Sequence, residues 1–69
     1  MRNNIKDLRA VAGLSQAALA ERVGVSRNSI NSVENGRFDP SLPLAFAIAR
    51  VFGCTVEDVF VDEAAAAAE

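Results

Sequence analysis

The chain has 69 residues, 51% of them hydrophobic, with seven cationic and nine acidic side chains and a net charge of −2. That length excludes two cores, and a domain this small buries only about 60% of its unfolded surface. Cys54 is the one cysteine and histidine is absent, which excludes an internal disulfide and argues against a metal site, a cofactor or a histidine-dependent catalytic pair.

No charged segment leads into an apolar run at the N-terminus, and no stretch of about 18 apolar residues could span a bilayer. A cytoplasmic protein without membrane contact is expected. Asn3 or Asn4 can cap a first helix with Ile5, Leu8 and Val11 or Ala12 inward, ending at Gly13. Leu14 then enters the core.

Ser15 precedes Leu19, Ala20 and Val23 at helical spacing, and its hydroxyl can accept from an unpaired N–H of the first turn. Gly24 follows the last periodic residue and can take the left-handed conformation that closes a helix. Ser26 can cap a third helix, with Ile30 and Val33 inward, that ends at Asn35-Gly36. So short a turn forces a sharp crossing. Small Ala20 suits the close approach and larger Ile30 seals the angle.

A solvated helix face usually carries Lys and Glu, but this third helix carries Arg27, Asn28, Ser29, Asn31 and Ser32. Asn and Ser are mediocre helix formers, so their concentration costs stability. Side chains that both donate and accept are what base edges require. Two helices joined by a glycine turn, the second polar outside, have the layout of a helix-turn-helix DNA reader.

Arg37-Phe38-Asp39-Pro40 forms a connecting loop, with Phe38 expected to anchor it to the core. Ser41 begins a fourth helix with Pro43 in its first turn, where the missing N–H removes no helix bond. Leu42, Ala45, Phe46, Ile48, Ala49 and Phe52 give it a broad apolar surface, more than one core needs. Leu44, Ala47 and Val51 recur on the other side, a surplus that predicts a dimer interface. Gly53 stops this helix, and Cys54 reads as a small half-buried residue between helices, with a redox switch as the alternative. Thr55 can cap a fifth helix whose first turn carries the dipole-favoured acids Glu57 and Asp58, and Val56, Val59 and Phe60 close the fold. No strand pattern appears. The tail VDEAAAAAE has high helix propensity but is short; it reads as an extension of the fifth helix, a dimer arm or a remnant of cloning.

The stretch from Ile5 to Phe60, IKDLRAVAGLSQAALAERVGVSRNSINSVENGRFDPSLPLAFAIARVFGCTVEDVF, resembles the lambda-repressor/Cro-like (XRE) family of helix-turn-helix regulators, including the ENG after the third helix and the DPSL before the fourth. The resemblance implies an all-α, compact five-helix bundle over residues 1–61, followed by an acidic, alanine-rich tail over 62–69. It also implies double-stranded DNA as partner, with a recognition helix at about 26–35 in the major groove. Arg9 and Glu34 match positions that pair in the family and are read as a structural ion pair rather than catalytic groups.

The contacts divide by role. Arg27, Asn28, Ser29 and Ser32 are assigned to bases; Arg27 could take a guanine or a phosphate, and Asn28 an adenine. Many relatives carry a longer Gln or Arg where Asn28 stands, so its reach here is shorter. Ser15, Gln16, Asn31, Asn35 and Arg37 are assigned to the phosphate backbone, with Gln16 also bracing the recognition helix. Residues 1–37 carry a net +3 and residues 38–69 a net −5. DNA should approach the first half, with few phosphate contacts.

A chain this small is expected to act by occupying a promoter, as a repressor binding an inverted repeat as a homodimer. The alternative is a protein-interaction module, such as an antitoxin or a partner-binding regulator, with DNA contact secondary. No enzymatic activity is expected.

Overall fold

The computed structural model describes residues 1–62. The elements in order are β1 (Arg2–Asn3), α1 (Ile5–Ala12), α2 (Gln16–Val23), α3 (Arg27–Glu34), α4 (Leu42–Phe52), α5 (Val56–Val59) and β2 (Phe60–Val61). Five helices surround a core of Ile5, Leu19, Ala20, Ile30, Val33, Ala45, Ile48, Ala49, Val59 and Phe60.

Four helices begin on a hydroxyl cap. Ser15, Ser26, Ser41 and Thr55 accept from the backbone N–H of Ala18, Ser29, Leu44 and Asp58 respectively. Thr55 and Asp58 complete a reciprocal box, because the Asp58 carboxylate also accepts from the Thr55 N–H at 3.1 Å. The first helix starts differently. Asn4 occupies its cap position without a side-chain cap bond, while Asn3 Oδ1, one residue earlier, accepts from the Ile5 N–H at 3.1 Å.

The strand pair departs from the purely helical expectation. β1 and β2 are antiparallel, with Arg2 opposite Val61 and Asn3 opposite Phe60. Two residues per strand are too few to show an alternation, and the pairing is held by Phe60, which the core buries.

Several inward assignments are corrected. Val11 is 90% exposed. At 100° per residue it falls about 120° around α1 from Ile5, too far to share its face. Ala12 is exposed as well, and Leu14 is only half-buried. Phe38 does not anchor its loop; it is 46% exposed. On α4, Ala45, Ile48 and Ala49 fill the core arc, with the small Ala45 and Ala49 letting the helix lie close and Ile48 filling the interior. Leu42 and Phe46 are the part of that apolar surface the core does not use, and they look outward. Leu44 and Val51, expected outside, are half-buried against the core, and Ala47 is half-buried too. The predicted stripe is thus largely spent on the protein's own packing. Residues 63–69 of the expected tail lie outside the described residues.

Candidate nucleic-acid interface

Helices α2 and α3 meet through a turn closed by Gly24 at φ +77°, whose N–H donates to Ala20 O at 2.9 Å while that of Val25 donates to the same carbonyl at 3.1 Å. Leu19 and Ala20 from one helix and Ile30 and Val33 from the other are buried together. One face of α3 is thereby fixed. The other presents Arg27 and Asn28, both exposed, at its N-terminal end.

The remaining site residues are more engaged than the sequence suggests. Ser29 gives its N–H to Ser26 Oγ at 3.1 Å, and the two hydroxyls lie 3.0 Å apart, so its side chain is shared with the cap. Ser32 is half-buried. Asn31 Nδ2 donates to Gln16 Oε1 at 3.4 Å, and Asn31 Oδ1 accepts from Asn35 Nδ2 at 3.2 Å. Ser15 is exposed at its cap, and Asn35 and Arg37 are exposed at the far end of α3.

Behind this face stands a bidentate ion pair. Arg9 Nε donates to Glu34 Oε2 at 2.9 Å and Nη2 to Oε1 at 2.8 Å, with both side chains largely buried. Nη1 donates to Leu14 O at 3.0 Å, so one guanidinium also ties down the link between α1 and α2. The hydrogen bonds from Arg9 hold the Glu34 carboxyl below its ordinary range against the opposing cost of burial, with smaller help from the Arg9 charge, a Gln16 hydrogen bond and Lys6. Two polar links result, Arg9 to Glu34 and Gln16 through Asn31 to Asn35. Together they brace the recognition helix.

Asn3 joins the site without any sign of it in the sequence. Its Nδ2 donates to Val33 O at 2.9 Å and Glu34 O at 3.4 Å, at the end of α3. An asparagine before a helix reads as a cap, and nothing local marks a partner thirty residues away.

A helix-turn-helix family model matches residues 5–59. An uncharacterised HTH-type transcriptional regulator of Methanocaldococcus jannaschii is 49% identical over 63 residues, covering 91% of this chain and 96% of that protein. The crystal structure of the P22 c2 repressor bound to a synthetic operator superposes with a TM-score of 0.75 at 28% identity, covering 78% of this chain and 82% of that one. The clp gene regulator ClgR of Corynebacterium glutamicum gives 0.75 at 30% identity, covering 93% and 68%. The chain belongs to the lambda-repressor/Cro-like (XRE) helix-turn-helix family. It is a DNA-binding transcriptional regulator rather than an enzyme. No helix among the described residues is long and apolar enough to cross a membrane.

Proposed function

We propose that this regulator is a cytoplasmic repressor that binds an inverted-repeat operator as a homodimer, with the N-terminal end of α3 in the major groove. The observation that carries the reading is the exposed pair Arg27 and Asn28 at the end of a helix fixed by the Ser26 cap and the two polar links. Arg27 and Asn28 read bases, with Ser32 and the partly engaged Ser29 adding shorter contacts. Ser15, Gln16, Asn31, Asn35 and Arg37 meet phosphates and set the register. The P22 c2 repressor was solved on an operator, which supports the same approach here.

Dimerisation through α4 and α5 would set two recognition helices about 34 Å apart, one turn of DNA. Exposed Leu42 and Phe46 supply more free apolar surface for it than Leu44, Ala47 and Val51, which keep only their outer edges.

Selection of random genomic fragments on the purified protein tests the function. Enrichment of a short inverted repeat, with affinity that falls steeply with salt, is the expected result. If no fragment is enriched at low salt, the repressor reading fails and the protein-interaction reading takes its place.

A further inference from the structure

The C-terminal end of α3 is closed by glycine geometry. Gly36, at φ +72°, donates its N–H to Val33 O at 3.1 Å, and Arg37 donates its N–H to Ser32 O at 2.9 Å. Asn35 N–H is spent on Asn31 O at 3.0 Å. The Glu34 carbonyl is passed over by all three. Asn3 Nδ2 reaches it at 3.4 Å while bonding Val33 O at 2.9 Å, and so completes the cap from outside the helix.

The same amide is held at its other end, because Asn3 Oδ1 accepts from the Ile5 N–H. Its backbone lies opposite buried Phe60 in the ribbon, and the next residue extends the attachment: the Asn4 N–H donates to Val59 O at 2.8 Å and Asn4 Nδ2 to Asp58 O at 3.0 Å. A Cβ placed on Gly36 would lie 3.4 Å from Met1 O, so the N-terminal strand crosses directly over this turn. The end of the recognition helix is bolted to α1 and, through the ribbon, to the C-terminal end of the fold.

We propose that Asn3 is a positioning residue for DNA binding: it fixes the Asn35-Gly36-Arg37 turn so that Arg37 meets a phosphate, while the bases are read at the opposite end of α3. The proposal rests on the DNA-reading role given to α3 under the proposed function. Asn3 itself need not touch DNA.

The test compares full-length Asn3→Ser, Asn4→Ser and the unaltered chain on the duplex that the unaltered chain selects, with folding checked by circular dichroism at the assay temperature. Serine at position 3 keeps an acceptor near the Ile5 N–H, but its single short hydroxyl cannot also reach the α3 carbonyls. Asn4→Ser loses an equivalent amide-to-carbonyl bond that does not involve α3. For Asn3→Ser the slope of log K against log salt should become shallower by about 0.9 per subunit, the loss of one phosphate contact, with base preference unchanged. Asn4→Ser should keep the full slope. A second readout is a double-mutant cycle in which Arg37→Ala, costly in the unaltered chain, costs nothing further beside Asn3→Ser. Should Asn3→Ser not fold, Asn3→Thr, which retains an acceptor and suits a strand, goes through the same cycle. Full slope and additive Arg37→Ala in a folded position-3 variant overturn the proposal, as do equal losses from the two asparagines. An unaltered chain that selects no duplex sinks the function and the proposal together.

Discussion

Arg9 clasps Glu34 through two parallel hydrogen bonds, of 2.9 and 2.8 Å, and thereby joins the middle of α1 to the last residue of the recognition helix. Both groups are largely withdrawn from water, so neither is cheaply left alone. Glu34→Gln removes the charge and one acceptor and strands the guanidinium. We expect a loss of about 2–3 kcal/mol, which in a domain of this size lowers Tm by roughly 10–20 °C. Thermal unfolding at pH 7 measures it, and a shift under about 3 °C would refute a stabilising pair.

The same pair makes stability depend on acid. The folded pKa of Glu34 is lowered, first by the Arg9 hydrogen bonds. The unfolded chain therefore binds this proton more readily, and the pair's contribution is complete above the ordinary glutamate range of about 4.3 and fades as pH falls through the lowered folded value. Denaturant midpoints of the unaltered chain and Glu34→Gln should differ most near neutrality and converge below about pH 4. A difference that stays constant down to about pH 3 would place the effect in packing instead of charge.

The proposed division between base reading and phosphate holding predicts different patterns of loss. Asn28→Ala should relax preference at one position of the selected operator by about 1–3 kcal/mol while leaving unrelated duplexes bound as before. Arg37→Ala should weaken all duplexes alike and reduce the salt slope. Gln16→Ala should also weaken all sequences, and because Gln16 accepts from Asn31 it should disturb the brace as well. Binding titrations on matched and mismatched duplexes distinguish these patterns.

Local signals carried the helix-turn-helix, because each boundary is set within four residues: the Ser15 and Ser26 hydroxyls cap the first turns of α2 and α3, and Gly24 closes the last turn of α2. Buried Leu19, Ala20, Ile30 and Val33 lie where a 3.6-residue period puts them. The features that were not legible depend on distant partners. The β1–β2 ribbon is too short to leave a pattern, and the reach of Asn3 to Val33 exists only once the chain has folded. On α4 the apolar residues run almost all the way round, so period alone could not say that Leu44 faces the core and Phe46 the solvent.

That reversal on α4 gives a prediction about association. Phe46, 48% exposed, and Leu42, 65% exposed, lie one turn apart and keep only part of their surface covered, so Leu42→Ser with Phe46→Ser should cost about 1–2 kcal/mol of stability, less than removing fully buried side chains. The same double change should raise the dimer dissociation constant measured by sedimentation. Val51→Ala, at a residue packed on the core, should lower Tm while changing association less than the double change does. A monomer at every concentration in the unaltered chain would remove the preformed dimer.

Cys54 provides the last test, because its surroundings oppose thiolate chemistry. It packs half-buried against the core, and burial raises its pKa above the ordinary thiol value, with the nearby Asp58 charge adding to the rise. The thiolate is the reactive form, so at about pH 7.5 alkylation by iodoacetamide should run well below the rate of a free cysteine and accelerate in denaturant. Asp58→Asn should speed the native reaction by removing one of the two causes, though it also weakens the Thr55 box, so the rate is compared under conditions where both chains are fully folded. Native alkylation as fast as that of free cysteine would revive the redox switch; slow native alkylation leaves Cys54 as packing between α4 and α5.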